Sequence, residues 1–333
     1  MKFMKLRQQI NWLNTIFLIV TPIVAMIGTV MIGLQGAFSW KTAVLAIFLL
    51  IMGGISITAG YHRLFSHATY KAAWIVRLIF LLFGASTFEG SALEWCTDHR
   101  NHHLYTDTPK DPYNFKQGFW YAHIGWLLTL DTSKRNFSNV EELTKDPLVQ
   151  FQHRFFVPLA IIFGFILPML IAALWGDAWG GLIIAGALRV TIAQHSTFCI
   201  NSVCHAFGKQ PYSDRHTARD HWFTAFFTFG EGYHNYHHKF PLDYRNGIRF
   251  FHFDPTKWLI RSLSLIGLAN DLKKMSDYKI AQYVLEMDQK KLEMGLQKTS
   301  GVSEHSMAAL KSMYESITQL LSQCDRVEKK YKE

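Results

Sequence analysis

Cysteine and acidic charge are scarce in this sequence, and each shortage excludes a class of protein. The four cysteines form no CxxC pair and no regular spacing, which argues against a disulfide framework; they are Cys96, Cys199, Cys204 and Cys324. Lys and Arg number 34 against 25 Asp and Glu, which gives a formal net charge of +9. No nucleic-acid fold motif and no concentrated basic stripe accompanies this charge, so nucleic acid is not an expected partner. The charge instead indicates an anionic membrane surface or an acidic protein partner.

Long apolar runs are abundant and predict that the chain is embedded in a membrane. About 20 apolar residues in a helix cross a hydrocarbon core of roughly 30 Å. Four runs approach that length, at about residues 12–34, 42–61, 155–175 and 181–200. The shorter run at 74–88 is expected to lie at the membrane interface or against the bundle. Because only 49% of all residues are hydrophobic, a large water-facing cap is expected beside the bundle.

Basic residues at the start of the chain set the expected orientation. Lys2, Lys5 and Arg7 precede the first run, and an excess of Lys and Arg marks the cytoplasmic side of a membrane. Two pairs of spans return the chain to that side, so we expect the cap and both termini in the cytoplasm. The first run is long and lacks a small-residue cleavage pattern, so no cleavable signal peptide is expected.

Histidine is concentrated in three short boxes that the predicted topology places on one side of the membrane. Two boxes have the spacing His-x-x-His-His, and on a helix positions i, i+3 and i+4 share one face. Eight of the 16 histidines lie in the boxes; they are His62, His67, His99, His102, His103, His234, His237 and His238. The predicted fold is therefore an all-α membrane protein with four transmembrane helices and a histidine-rich cytoplasmic helical cap. Residues 1–270 would form this membrane domain, and residues 271–333 a C-terminal cytoplasmic helical extension.

The converging imidazoles predict a site for two metal ions. Metal ions in proteins take four to six ligands, and a structural zinc site would favour cysteine, which the boxes lack. Asn201 and His205 lie four residues apart at the end of the fourth run and share a helix face. They add a ninth imidazole and a neutral amide that could hold a metal-bound water.

Four motifs together resemble those of the membrane fatty acyl desaturases. They read HRLFSH at 62–67, DHRNHH at 98–103, NSVCH at 201–205 and GEGYHNYHH at 230–238. The similarity covers about residues 10–270 and is closest to the Δ9, stearoyl-CoA desaturase-like group. It implies an enzyme that uses O₂ to place a cis double bond, at Δ9, in a saturated acyl chain.

The resemblance also implies the roles of individual residues. The nine histidines would bind two iron ions, with Asn201 reaching one of them through a water molecule. Imidazole ligands suit iron, and an open coordination position is needed for O₂. Trp95 and Thr197 would line the bend of an apolar tunnel that holds the acyl chain.

The acyl carrier is expected to be coenzyme A, with a lipid-bound acyl chain as the alternative. The animal acyl-CoA enzymes carry an Arg before the Asp-His of the second box, where this sequence has Thr97. They also have an Arg-Lys pair where this sequence continues with Leu130 and Asp131. Those missing charges are ones that would pair with phosphates.

Electrons are expected from a separate protein. The sequence contains no haem-binding His-Pro-Gly-Gly of a fused cytochrome b5, no GxGxxG in a strand–helix context and no CxxC of a rubredoxin. A ferredoxin, rubredoxin or cytochrome b5-like donor with an NAD(P)H reductase is therefore expected, at a bacterial inner membrane or an ER-type membrane. A membrane di-iron hydroxylase and a non-catalytic metal transporter or sensor are the alternatives to a desaturase.

Overall fold

A computed structural model describes residues 10–129, 131–132, 135–297 and 304–331. Lys2, Lys5, Arg7 and Leu130, which entered the predictions on orientation and acyl carrier, lie outside these residues.

The described chain is mostly helical with almost no strand, which confirms the predicted fold class. The α-helices are α1 Trp12–Leu34, α2 Trp40–Ile55, α3 Trp74–Ala85, α4 Ala92–Tyr105, α5 Trp126–Leu128, α6 Glu141–Thr144, α7 Pro147–Arg154, α8 Phe156–Ile161, α9 Leu167–Ala173, α10 Ala178–Leu182, α11 Arg189–Ala206, α12 Trp222–Phe227, α13 His234–Lys239, α14 Pro255–Leu265, α15 Asp277–Gln297 and α16 Glu304–Lys330. Turns of π-helix are Ser56–Ser66, Tyr121–Gly125, Ile162–Ile166 and Ile183–Leu188, and turns of 3₁₀-helix include Phe115–Gln117 and Phe137–Val140. Two short strands, β1 Lys71–Ala72 and β2 Ala269–Asn270, pair antiparallel with Lys71 opposite Asn270.

Four continuous helices among the described residues are long and apolar enough to cross a membrane. They run over Trp12–Leu34, Trp40–Ser66, Phe156–Ala173 and Ala178–Ala206. Two of them continue past the ends of the predicted runs, because helical hydrogen bonding goes on after the hydrophobic stretch stops. Residues 62–66 of the first histidine box and the Asn201–His205 pair are thus parts of candidate spanning helices, and His67 follows directly after the first of these helices.

The first histidine box lies at the end of the π-helical turns Ser56–Ser66, with His67 as their C-terminal cap. A π-helix joins residues i and i+5, and here the His67 amide donates to the His62 carbonyl at 3.1 Å. Two histidines five residues apart therefore share one face of this helix, which an ordinary α-helix would not provide.

The larger hydrophobic core joins the second span to the cap. Tyr61 from the second span packs there with Leu93 and Cys96 of α4 and with Val140 and Ile260 from the later cap segments. Helix α4 begins at a capping box, in which the Ser91 hydroxyl accepts from the Glu94 amide and the Glu94 carboxylate accepts from the Ser91 amide. This core fixes α4, and with it the second histidine box, against the first.

The C-terminal helices form a hairpin on the cap. Helix α15 contributes Ile280 to a small cluster with Tyr212, Tyr236 and Phe240 of the cap. Helix α16 packs on α15, where the Gln282 amide donates to the Ser322 hydroxyl at 2.7 Å.

Arg189 lies inside the fourth span and is buried against protein rather than lipid. Its guanidinium donates to the carbonyls of Ser86 at 2.8 Å, Gly164 at 2.9 Å and Ala185 at 3.2 Å. Gly164 and Ala185 both lie in π-helical turns, where the α-helical hydrogen-bond ladder is interrupted. The arginine thereby ties the turn before α4 to two spanning helices.

Candidate metal centre

Nine histidines converge in two neighbouring groups beside the membrane bundle. Within each group the ring nitrogens that could bind a metal all lie within 4.8 Å of one another. The five-histidine group is His62, His67, His99, His103 and His237. The four-histidine group is His102, His205, His234 and His238. The structure therefore brings together every histidine that the sequence predicted for the site.

Each His-x-x-His-His box serves both groups rather than one. In α4, His99 and His103 belong to the five-histidine group and His102 to the other. In α13, His234 and His238 share the four-histidine group, whereas His237 faces the five-histidine group. Residues four apart thus stay together, and the middle histidine of each box is directed to the adjacent group.

The two groups are in direct contact. The rings of His103 and His238 stack with their centroids 4.4 Å apart, although they belong to different groups. The ring of His102 lies 5.7 Å from that of His103. Two metal ions held by these groups would therefore be neighbours.

The imidazoles approach one another through their Nε2 atoms. In the five-histidine group, Nε2 of His237 lies 2.9 Å from that of His62 and 2.8 Å from that of His103. In the other group, Nε2 of His234 lies 3.1 Å from that of His205 and 3.0 Å from that of His238.

In three of the rings an acceptor lies next to Nδ1, the nitrogen that faces away from the other histidines. This acceptor determines the tautomer of the ring. Nδ1 of His62 faces Glu231 at 2.8 Å, and Nδ1 of His102 faces Asp111 at 2.9 Å. A carboxylate accepts only, so each of these Nδ1 atoms carries the proton and each Nε2 presents a lone pair.

The tautomer of His205 is fixed in the same way, through a threonine hydroxyl. The Thr217 hydroxyl donates to Asp107 Oδ1 at 2.7 Å, so it must accept from Nδ1 of His205 at 2.7 Å. The lone pair of His205 Nε2 therefore also points into its group.

Burial favours the neutral form of five of these imidazoles. Removal from water, followed by the effect of neighbouring imidazoles, holds the pKa of His99, His103, His234, His237 and His238 well below the usual value. Neutral imidazole is the form that binds metal.

The geometry and the donor set both fit a metal pair. Lone pairs that converge at about 3 Å without a proton between them repel one another, whereas a shared cation would turn each of them into a ligand. Neutral nitrogen donors with carboxylates behind them suit a transition metal such as iron.

A buried ion-pair network supports the five-histidine group. Arg63, next to His62 in the chain, donates to Glu231 at 2.9 Å and to Asp254 at 3.1 Å. Glu231 stands between Gly230, with φ +102°, and Gly232, where a Cβ would lie 2.2 Å from the Ala225 amide nitrogen. Only glycine suits these two positions, and the tight turn they make places the Glu231 carboxylate behind His62.

The other predicted site residues also lie at or near the centre. Asn201 precedes His205 by one turn of α11 and is half-buried. The Trp95 indole stacks on the His99 ring at 4.8 Å. The Thr197 hydroxyl donates to Glu89 at 3.0 Å and lines a narrow cavity.

That cavity runs between the second span, α11 and the turn before Gly230. Its lining consists of Gly54, Thr58, Glu89, Ala193, Ser196, Thr197, Ile200, Thr228 and Phe229.

Comparison with known proteins identifies the family. The family model described as "Fatty acid desaturase" matches residues 38–265. Acyl-CoA desaturase 1 of Saccharomyces cerevisiae is 45% identical over 293 residues, which are 86% of this chain and 56% of that protein. Delta(9)-fatty-acid desaturase fat-7 of Caenorhabditis elegans is 36% identical over 289 residues, which are 84% of this chain and 83% of that protein.

The chain belongs to the fatty acid desaturase family. This confirms the resemblance found in the sequence. A probable acyl-CoA desaturase of Schizosaccharomyces pombe is also similar, 46% identical over 288 residues. The chain spans 56% and 59% of the lengths of the two yeast proteins.

Several residues of this desaturase-family site were not singled out from the sequence. Glu231 and Asp111 face the Nδ1 atoms of His62 and His102. Asp107 accepts from the Thr217 hydroxyl that faces His205, and Glu89 lines the cavity. Glu231 lies inside the GEGYHNYHH motif, so its position beside the third box was a usable signal. Buried histidine ligands usually need an acceptor at the second ring nitrogen, which would have directed attention to nearby carboxylates.

We expect metal binding to stabilise this desaturase-family protein. Occupied sites relieve the lone-pair repulsion and favour the folded state, by about 2.7 kcal/mol when the metal is at a hundred times its Kd. The metal-free protein in detergent should melt several degrees below the Fe²⁺-loaded protein, and adding Fe²⁺ under anaerobic conditions should restore the Tm. Equal melting temperatures with no iron retained would contradict the presence of a metal site.

Proposed function

We propose that the protein is a di-iron, O₂-dependent fatty acyl desaturase that places a cis double bond at Δ9 of a saturated acyl-CoA. The observation that carries this proposal is the convergence of nine imidazoles in two adjacent groups beside a narrow cavity. Iron held there would supply the redox chemistry with O₂ that removes hydrogen from an unactivated methylene, which side chains alone cannot do.

The proposed metal ligands are the nine histidines and Asn201. One iron would take the five-histidine group, and the other the four-histidine group with Asn201 through a water molecule. The ligands are His62, His67, His99, His102, His103, Asn201, His205, His234, His237 and His238.

Neighbouring residues fix the protonation and the position of these proposed ligands. Glu231 and Asp111 keep protons on the far nitrogens of His62 and His102, and this raises the basicity of the near nitrogens. Arg63 compensates the buried charge of Glu231 and fixes the carboxylate in place. Rigid positioning of this kind lets the reactive centre act on one methylene of a chain rather than on its neighbours.

Trp95 and Thr197 are proposed to contact the acyl chain. Trp95 stacks on His99, and Thr197 faces the cavity. An acyl chain that passes through this region would be held beside the five-histidine group, where its oxidised carbons must lie.

Coenzyme A is the proposed carrier, with a lipid-bound chain as the alternative. The yeast relatives are named acyl-CoA desaturases, which supports the first. Thr97 supports the second only weakly, because its side chain is fully buried and its hydroxyl donates to the Leu93 carbonyl. A side chain buried at this position does not reach a phosphate at the surface.

Electrons are proposed to come from a separate ferredoxin, rubredoxin or cytochrome b5-like protein with its NAD(P)H reductase. The net charge of +9 favours an acidic donor. The four candidate spans support a multi-pass protein, and we propose that its cap and both termini lie on the cytoplasmic side. A transporter would instead place its ligands near the middle of the bilayer.

Lipid profiling in a desaturase-deficient host tests this function. Expression of the chain together with a donor system should restore cis-Δ9 unsaturated fatty acids, located by mass spectrometry after derivatisation of the double bond. A hydroxylated chain would show a hydroxylase instead. Bound iron without any O₂-dependent lipid product would support a metal transporter or sensor.

A further inference from the structure

The last helix, α16, carries a continuous stripe of exposed apolar side chains. Successive members of the stripe are alternately four and three residues apart, so they lie on one face of the helix. The α16 stripe consists of Met313 (53% exposed), Ile317 (36%), Leu320 (59%), Cys324, Val327 (54%) and Tyr331 (85%). Single exposed apolar residues are ordinary on a protein surface, but a contiguous row of them marks an interaction site.

Helix α16 packs on its own chain through a neighbouring face. Leu310, Tyr314 and Leu321 are half-buried on that face, which lies against α15. The Ser276 hydroxyl before α15 donates to the Glu328 carboxylate at 3.2 Å and fixes the open end of the hairpin. Within the described part of the chain, the hairpin is therefore complete and the α16 stripe stays uncovered.

The residue types of the α16 stripe are those of a two-helix coiled coil. In the heptad abcdefg, Ile317, Cys324 and Tyr331 take position a, and Met313, Leu320 and Val327 take position d. A β-branched residue at a followed by Leu at d, as in Ile317 and Leu320, favours two strands. Knobs-into-holes packing needs a partner with the same repeat over the same length, which a second α16 supplies.

The charge of α16 distinguishes among the possible partners. The helix contains four Lys and Arg residues and four Asp and Glu residues, so its formal net charge is zero, whereas the whole chain has +9. A helix that binds an anionic membrane surface is rich in Lys and Arg on its polar face, and an acidic redox protein requires a similar positive excess. Two copies of a neutral helix, in contrast, meet without net repulsion.

We propose that the α16 stripe is a dimer interface, and that its partner is α16 of a second copy of this chain. Two hairpins joined in this way would form a four-helix bundle that connects two caps. The bundle would be firmly attached to each cap, because Lys239 Nζ lies 3.7 Å from the centroid of the Tyr283 ring of α15 and the Phe240 ring lies 5.5 Å from it. Pairing through the α16 stripe needs neither iron nor substrate, so its test is independent of the proposed reaction.

Cys324 provides a direct test of this pairing in membranes. It is the one exposed cysteine of the four, and it lies near the middle of the α16 stripe. The Cys324 side chains of two copies would therefore come close in a parallel or an antiparallel pair. A short bismaleimide added to membranes that contain the full-length protein should link two copies into a species of twice the mass, and Cys324→Ser should abolish this product.

A matched pair of variants tests the α16 stripe itself. Leu320→Glu places a charge on the stripe, and Gln319→Glu places the same charge on the adjacent, exposed polar face. Like charges that face each other in an interface are strongly unfavourable, so Leu320→Glu should raise the Kd of the dimer at least about a hundred-fold. Gln319→Glu should leave the Kd within about twofold of the wild-type value. Both side chains are exposed, so the helix content by circular dichroism should match the wild type in both variants.

Mass measurement by light scattering in detergent, over a range of protein concentrations, gives the Kd. A monomeric wild type whose Cys324 reacts with a monofunctional maleimide but is not cross-linked would overturn the proposal. A dimer that survives equally in Leu320→Glu and Gln319→Glu would also overturn it, because the copies would then meet through another surface. A Cys324 cross-link to a different protein would show that the α16 stripe binds that protein instead.

Discussion

The His237→Ala variant is expected to lose almost all desaturation. Nε2 of His237 lies 2.9 Å from that of His62 and 2.8 Å from that of His103, so it is central to the five-histidine group. Its removal takes away one proposed ligand and leaves a buried gap beside the proposed iron. We expect product formation to fall at least about a hundred-fold and iron content to drop below two per chain.

The control for this variant is His305→Ala. His305 is exposed on α16, far along the chain from the boxes, and its replacement should leave both product and iron unchanged. Measurement combines iron analysis of the purified protein with mass spectrometry of the lipids. A His237→Ala protein that folds and still makes unsaturated lipid at the normal level would remove His237 from the site.

The Glu231→Gln variant should lower iron affinity by about ten- to a hundred-fold, although Glu231 is not itself a proposed ligand. Its carboxylate lies 2.8 Å from Nδ1 of His62 and accepts from Arg63 at 2.9 Å and from the Asn246 amide at 2.6 Å. Gln has nearly the same shape but no charge, and one of its two polar atoms is a donor. The His62 ring would lose the partner that fixes its tautomer, and Arg63 would keep only Asp254 as a counter-ion.

A titration of iron into the metal-free protein measures this effect. Glu286→Gln on the exposed face of α15 is the matched control and should bind iron as the wild type does. Unchanged iron affinity in Glu231→Gln would show that the His62 tautomer does not depend on this carboxylate.

The membrane helices and the set of clustered histidines could be predicted from the sequence for simple physical reasons. An apolar run long enough to cross a bilayer strongly indicates a membrane helix. The predicted spans therefore agree with the helices at 12–34 and 156–173 within a few residues. Histidines at i, i+3 and i+4 must share a helix face, so their convergence followed once the boxes lay on one side of the bundle.

The division of each box between two groups could not be predicted from the sequence. Helix periodicity gives the face of His102 and His103 but not which of two adjacent centres each ring enters, because that depends on how α4 and α13 cross. The π-helical turns that align His62 with His67 are likewise a result of packing and have no clear sequence pattern.

Carboxylates that support the site come from distant parts of the chain. Glu231 reaches His62, and Glu89 meets Thr197, across contacts that only the folded helices create. Sequence spacing carries no information about such pairs. The chemistry of the residues does carry such information, because buried imidazole ligands need acceptors and a buried carboxyl needs a donor.

Anomalous X-ray scattering at the iron edge, from crystals of the iron-loaded protein, tests the central claim most directly. The account predicts two iron peaks per chain, one surrounded by His62, His67, His99, His103 and His237, and the other by His102, His205, His234 and His238. A single peak, or iron bound away from these rings, would contradict it.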